Sequence, residues 1–495
     1  MAVSPSTVAG RRIGGLTPTD EQTAVIDACV DGLDLVIEAG AGTGKTSTLR
    51  MAASRMHGRG LYVAYNRAIV DDARRFFPPH VNCSTAHRLA YREVGHLYNS
   101  RLDGPRLPAI ESARRLGITS RLKLSDGRMI SRLQLYGQAV KTVNQYCRSA
   151  DDTLTARHVP PVDGFSGAVA AELAEEVLTV AIDVWADVVS RGGWLPFKHD
   201  HYLKMWSLTE PVLDYDFLLL DEAQDADPLI ASILKRQSCQ RIAVGDSHQA
   251  IYHWRGAVDA LENWPAAKWL YLSQSWRFGP AIAEQANKWL TLLGAKLHLV
   301  GAPDIASTVA DLTTPQAVLC RTNAEAINQV IHATDDGRSA ALVGGGHEIR
   351  NMAQAALDLQ STGSTDHAEL FAFKSWGEVH DYAYQDEAGA ELLPFVRLVG
   401  DVGAERVVTA VDELVDETAA DVIVSTSHKA KGREWSSVLI GSDFHRSVAD
   451  STGRPRAVPR ADAMLAYVAV TRARDTLDCS SLAWIDALPP QLRSI

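Results

Sequence analysis

The run Ala39-Gly40-Ala41-Gly42-Thr43-Gly44-Lys45-Thr46 has the residue types of a phosphate cradle. Small residues let successive backbone N–H groups close around the β- and γ-phosphates of a nucleotide. They do so at a helix N-terminus, where the dipole favours anions. Lys45 is placed to neutralise the phosphates, and Thr46 to offer its hydroxyl to Mg²⁺. The general pattern asks for glycine at the first position, where Ala39 stands. Far downstream, the apolar run Phe217–Leu220 ends in Asp221-Glu222-Ala223-Gln224-Asp225. Asp221 suits a Mg²⁺ contact through water, and Glu222 suits a general base for the attacking water. Alone, such a strand end could cap the next helix. With the loop upstream, the chemistry these residues point to is hydrolysis of a nucleoside triphosphate.

These groups need a frame. Apolar Leu33–Ile37 reads as a strand, the loop follows, and Ser47 to Met56 continues as a helix, the strand–loop–helix context such a loop requires. Further strands are expected at Leu61–Ala64, Phe217–Leu220, Arg241–Val244, Ala317–Cys320, Val422–Ser425 and Val438–Ile440. Alternation with helical stretches predicts an α/β fold with parallel sheets. Asn82–Arg148 and Gly167–Ser190 read as helical and break the rhythm, which predicts an insertion within one nucleotide-binding sheet. A second α/β unit begins near Trp276 and resumes near Asp421, and no internal repeat is visible.

Composition is that of a globular chain: 495 residues, 46% hydrophobic and 22% charged, enough for about two to four domains. No apolar run approaches the roughly 18–20 residues needed to span a bilayer, and Met1–Gly15 lacks the apolar core of a signal peptide. A cytoplasmic location without membrane contact is expected. The six cysteines lie far apart with no C-x-x-C pair, which argues for buried reduced thiols and against structural zinc or an iron–sulfur cluster. A net charge of −11 argues against a nucleic-acid partner, although a basic groove can sit on an acidic body. Between Glu111 and Arg148 the basic residues Arg114, Arg115, Arg121, Lys123, Arg128, Arg132, Lys141 and Arg148 face only Glu111 and Asp126. A solvated helical face and a DNA-facing one fit this stretch equally.

Further blocks narrow the reading. Gly245-Asp246-Ser247-His248-Gln249-Ala250-Ile251-Tyr252-His253-Trp254-Arg255-Gly256-Ala257 follows the acidic strand end. Gln274-Ser275-Trp276-Arg277, Thr426-Ser427-His428-Lys429-Ala430-Lys431-Gly432-Arg433-Glu434-Trp435 and Leu465-Ala466-Tyr467-Val468-Ala469-Val470-Thr471-Arg472-Ala473 come later. In this order they resemble the motifs of superfamily 1 helicases of the UvrD/Rep type, from about Leu16 to Arg474. Within that family the chain most resembles the helicase core of F-box DNA helicases, through Thr142–Cys147 with Ser149-Ala150-Asp151 and through His199–Lys204. Ala39 is a departure which that family shares.

The resemblance implies roles. Lys45, Asp221, Glu222, Gln249, Arg277 and Arg472 would be catalytic, with Gln249 sensing the γ-phosphate and the two arginines reaching it from the second domain. Such arginine fingers can contribute roughly 10³–10⁵ in rate. Gln22, the loop Ala39–Thr46, Gly432 and Glu434 would hold the nucleotide, Gln22 reading adenine and so selecting ATP. Thr46 and Asp221 would hold Mg²⁺. Tyr252 and Trp254 would stack on bases of single-stranded DNA, which grips any base at about 1–3 kcal/mol. Tyr65, Asn66, Arg67, Thr85, His87, Arg255, Thr426 and His428 would lie along the strand.

The chain departs from the family in places. Ser247 and His248 stand where an acidic run often follows Gly-Asp, no aromatic follows Thr85, and Ala461 and Asp462 replace two glutamates. Between Gly346 and Val415 there is room only for a small module in place of the family's large insertion, and the stretch after Arg474 is too short for a nuclease. The expectation is a bare motor with two RecA-like domains. The first spans 1–95 and 205–275 around a helical insertion at 96–204; the second spans 276–350 and 416–495 around a reduced insertion at 351–415. Its activity would be ATP-driven movement on single-stranded DNA and duplex junctions, 3′-to-5′ by resemblance. The alternative is an ATP-gated DNA sensor that activates a separate nuclease or recombinase. A phosphate-loop kinase or GTPase fits poorly, because neither uses paired finger arginines.

Overall fold

Both faces of the first sheet are covered, which is why its central strands read as unbroken apolar runs. It is formed by β1 (Leu35–Ala39), β2 (Gly60–Val63), β3 (Val81–Ser84), β6 (Phe217–Leu220), β7 (Gln240–Gly245) and β8 (Lys268–Leu272). A separate antiparallel ribbon pairs β4 (Leu122–Lys123) with β5 (Met129–Ile130). The sheet is parallel throughout, in the order β3-β2-β6-β7-β1-β8. Alternate residues face opposite sides. Leu35, Ile37, Tyr62, Leu219, Ile242 and Val244 pack into one core with Leu49 and Met51 of the helix after the loop. Val36, Leu61, Val63, Leu218, Leu220 and Ala243 share the other core with the helices that run from residue 86 to residue 207. These helices therefore cover one face of the first sheet.

The structure is a computed structural model that describes residues 17–64, 67–102, 104, 107–162, 165–251, 259–365, 367, 369–370, 373–385, 392–444 and 457–488. It divides into two compact units, Met1–Ala39 with Lys45–Leu272, and Ser273–Ile495 with the loop Gly40–Gly44. The second unit has its own parallel sheet of β9 (Thr308–Val309), β10 (Ala317–Cys320), β11 (Ala340–Leu342), β12 (Val422–Thr426), β13 (Trp435–Ile440) and β14 (Ala473–Asp478). Their order is β11-β12-β10-β13-β14-β9. Ala353, Ala356, Phe395, Leu398, Val399, Val407 and Ala410 share a core with Val318, Val422 and Val424 of that sheet. Much of the segment 351–415 is thus built onto the second unit's own core. Helix Arg460–Val470, buried along most of its length, packs against Pro280–Leu292.

The two segments that carry the F-box resemblance meet among the helices that run from residue 86 to residue 207. Lys204, fully buried, donates from Nζ to the carbonyls of Ser149 (2.9 Å) and Asp151, and lies 4.1 Å from the Tyr146 ring centroid. A cation at the C-terminal carbonyls of helix Arg132–Arg148 satisfies groups the helix cannot. Burial pushes this amine down to about 8.

Two expectations need correction. Asn82 and the two residues after it are not helical: they belong to β3, the edge strand that pairs Tyr62 with Cys83. The β4–β5 ribbon likewise interrupts Asn82–Arg148. Strands of two to four residues are too short for periodicity to separate from helix. The cysteines are all free, but Cys239 and Cys479 are only half-buried.

Candidate active site

Parallel strands put their C-terminal ends along one edge, and the loops there carry the chemistry. In the first unit, β1 ends at Ala39, β6 runs into Asp221 and β7 into Asp246. Gly42 (φ +73°) and Gly44 (φ +78°) take left-handed conformations that a side chain would disfavour. The Thr43 hydroxyl donates to the Gly40 carbonyl (2.9 Å) and Lys45 Nζ to the Ala39 carbonyl (3.3 Å). Gly40–Gly44 groups with the second unit, where Ala41 N–H donates to the Tyr467 hydroxyl (3.2 Å) and Trp276 N–H to the Gly42 carbonyl (2.8 Å).

Asp221 is buried, and one of its oxygens accepts hydrogen bonds from both Thr46 Oγ1 (2.7 Å) and Tyr62 Oη (2.7 Å). Its other oxygen accepts from Glu222 N–H (2.9 Å). Burial, then the neighbouring Glu222, raises the pKa of Asp221; the hydroxyls and Lys45 oppose the rise. A carboxylate so placed gains from a cation beside it, so the Thr46–Asp221 pair fits Mg²⁺. Glu222 itself sits at φ 52°, ψ 46°, a conformation rare for a non-glycine residue and typical of functional turns.

A chain of side chains then leads from Glu222 to Gln249. Gln224 Nε2 donates to Glu222 Oε2 (2.6 Å), and Gln224 Oε1 accepts from Asp246 N–H (3.0 Å). Asp246 Oδ2 accepts from Gln249 Nε2 (2.7 Å). Gly245 keeps this approach open, since a Cβ there would collide with Gln224 Oε1. Gln224 and Asp246 lie within the sequence motifs, but their spacing there points to no role. Tyr62 and Glu38 carried no spacing signal at all. Glu38, Asp246 and His248 have metal-ligand spacing and are buried. As placed, Glu38 accepts from Ser247 N–H and Oγ–H, and Asp246 from His248 N–H and Gln249 Nε2, so these oxygens act as hydrogen-bond acceptors.

In the second unit, Arg277 donates from Nε to Glu434 Oε2 (2.7 Å) and from Nη1 to the Thr471 carbonyl (2.9 Å). Arg472 is almost wholly buried and donates to the carbonyls of Val468 (2.9 Å) and Arg433 (3.3 Å) and to Thr471 Oγ1 (3.0 Å). The two arginines thus meet around Thr471, and Glu434 joins them. Gly432 takes φ +82° in the turn before Glu434.

Gln22 serves a capping box with Thr19 at the start of helix Asp20–Val30, and its Nε2 donates to Thr48 Oγ1 (3.1 Å) in the helix after the loop. Thr85 caps helix Ala86–Glu93, and Thr426 caps the turn that holds His428. His87 Nε2 lies 3.0 Å from Asp200 Oδ1. Arg67 opens helix Arg67–Phe76 and pairs with Asp71 (3.3 Å). Tyr65, Asn66, Tyr252, Trp254 and Arg255 lie outside the described residues. Much of the basic stretch is paired locally: Arg114 and Arg115 with Glu111, Arg128 with Asp126, and Arg148 within 3.8 Å of Asp200. That favours a solvated face there.

Among the described residues no helix is long and apolar enough to cross a membrane. The family model of an AAA domain matches residues 21–255. F-box DNA helicase 1 of Gallus gallus is 30% identical over 501 residues, covering 93% of this chain and 48% of that protein. F-box DNA helicase protein 1 of Schizosaccharomyces pombe is 30% identical over 514 residues, covering 93% of this chain and 57% of the relative. The chain therefore spans about half the length of the curated relatives it matches. A solved structure of the PRRSV helicase aligns with a TM-score of 0.31 at 11% identity, over 92% of this chain and 53% of that one, too slight a likeness to bear on function. The phosphate loop, the acidic strand end and a likeness that extends over 93% of the chain establish its relationship to the helicase core of the F-box DNA helicases.

Proposed function

We propose that this chain is an ATP-dependent motor on single-stranded DNA. The observation that carries the reading is the continuous link from Thr46 and Asp221 through Glu222, Gln224 and Asp246 to Gln249, at the ends of β1, β6 and β7. The loop amides and Lys45 would take the phosphates, with Gln22 at the adenine. Mg²⁺, held by Thr46 and Asp221, would neutralise charge across the β- and γ-phosphates. Glu222 would orient the attacking water and accept its proton, while Gln249 reports whether a γ-phosphate is present. Arg277 and Arg472 would add positive charge as the phosphoryl transfers. Glu434 and Gly432 belong to that same set of nucleotide contacts. Tyr252, Trp254 and Arg255, with Tyr65, Asn66, Thr85, His87, Thr426 and His428, would hold the strand. Travel 3′-to-5′, action at duplex junctions and a cytoplasmic setting complete the proposal, and the relatives' description as DNA helicases supports its DNA part.

ATPase assays with and without single-stranded DNA, followed by strand displacement on tailed duplexes, test it. DNA-stimulated hydrolysis with displacement from a 3′ tail is expected. ATPase indifferent to DNA would sink it. A second reading, an ATP-gated sensor that activates a nuclease or recombinase, is favoured by one feature. Helices from the reduced segment 351–415 pack into the second unit's own core. DNA-stimulated hydrolysis with no displacement from either tail would select that reading.

A further inference from the structure

We infer that Glu38 is a positioning residue for Gln249, supplying from β1 a second carboxylate beside Asp246 at the turn Ser247–Gln249. The inference rests on the reading of Gln249 as the γ-phosphate sensor. Ser247 and His248 stand where the motif this block resembles often has an acidic run, and Glu38 places a buried carboxylate beside Ser247. Glu38 lies one residue before Ala39 and sits opposite Gly245 where β1 pairs with β7. Its Oε1 accepts from Ser247 N–H and its Oε2 from Ser247 Oγ–H, both at 2.8 Å. These bonds fix the first residue of the single turn Ser247–Gln249. Asp246 fixes the rest, accepting from His248 N–H (3.1 Å) and from Gln249 Nε2 (2.7 Å). His248 Nδ1 is 3.8 Å from both Glu38 Oε1 and Asp246 Oδ1.

The strand that feeds the phosphate loop is thereby pinned to the turn that presents Gln249. A leucine at this strand position would avoid the cost of burying a carboxylate. What Glu38 provides instead is a two-point acceptor that a leucine cannot supply. Burial raises the Glu38 carboxyl to about 7, with Asp246 and then Asp259 adding to the rise and Ser247 opposing it. The group therefore sits in an environment that strains its charge, as expected where geometry rather than stability is served.

The test uses the full chain with saturating single-stranded DNA. Glu38→Gln keeps the shape but cannot accept both Ser247 bonds. It should lower kcat for ATP by about 10- to 100-fold, as small misplacements do, with KM within about twofold. Glu38→Gln combined with Gln249→Ala should be no slower than Gln249→Ala alone. Moving the second carboxylate onto the turn itself, in Glu38→Ala with Ser247→Asp, should restore most of the rate lost by Glu38→Ala. Wild-type kcat in Glu38→Gln, multiplying losses in the double variant, or no rescue by the moved carboxylate would each overturn the positioning role. Wild-type turnover in Gln249→Ala would instead overturn the sensor reading, and this inference with it.

Discussion

The two units hold charge in opposite ways. In the first, carboxylates that are buried or half-buried are held by neutral donors: Thr46 and Tyr62 on Asp221, Gln224 on half-buried Glu222, Ser247 on Glu38. In the second, Arg472 is held by the neutral carbonyls of Val468 and Arg433, while Arg277 shares its hydrogen bonds between the Thr471 carbonyl and the Glu434 carboxylate. Neutral partners orient a charge without cancelling it, and a charge kept in a low-dielectric setting responds strongly to a ligand of opposite sign. On the proposed reading, the first unit's carboxylates would favour a cation and the second unit's arginines an anion.

Removing the guanidinium groups is the strongest way to break this comparison. Arg277→Ala should lower DNA-stimulated kcat by about 10³–10⁵. Its side chain is partly accessible, so thermal unfolding should shift little. Arg472→Ala should lose a similar rate and also stability, because each buried acceptor left unpaired costs about 1–3 kcal/mol. Calorimetry on the two variants separates them. Equal melting temperatures would show that Arg472 does not brace the second unit. On the other side, Glu222→Gln should reduce kcat by about 10²–10⁴ while ATP binding, read by nucleotide fluorescence, persists. A variant that hydrolyses ATP at the normal rate would remove Glu222 as the base.

A milder change sharpens the picture of the first unit. Tyr62→Phe deletes a donor that lowers the pKa of Asp221. The carboxyl should then hold its proton more tightly, so Mg²⁺ must compete with it. The Mg²⁺ concentration for half-maximal ATPase should rise several-fold, and more at acidic than at alkaline pH. An unchanged Mg²⁺ requirement across pH would mean the Tyr62 hydroxyl only packs.

What the sequence made legible follows from how each signal arises. β6 and β10 were readable to the residue because both of their faces are buried and they are purely apolar. β3, β8 and β14 mix polar and apolar residues, since they lie at or near sheet edges, and they escaped notice. The loop and the acidic strand end were legible because their chemistry needs fixed spacing along the chain. Glu38 and Tyr62 were not, because each meets its partner only across the sheet, and the linking role of Gln224 was not, because it depends on Asp246 at the end of the neighbouring strand. Gln22 shows a further limit: its motif position named a nucleotide contact, but its anchoring to Thr48 in the helix after the loop carried no sequence signal.

The smallest expected effect concerns Glu38 and the pH dependence of stability. Its carboxyl, ordinarily near 4.5, is pushed up to about 7 by burial, with Asp246 and Asp259 adding to the rise and His248 lying close by. The folded protein therefore binds this proton more tightly than the unfolded chain does. That contribution is fully present below the unfolded pKa and is lost as pH rises through the folded one. Glu38→Gln cannot ionise, so nucleotide-free variant and wild type should diverge between about pH 5 and 8, the variant gaining relative stability as pH rises. Urea unfolding at several pH values would measure the difference. A constant difference would place the Glu38 carboxyl at its ordinary value, and the first unit would then hold one strained carboxylate fewer than its geometry indicates.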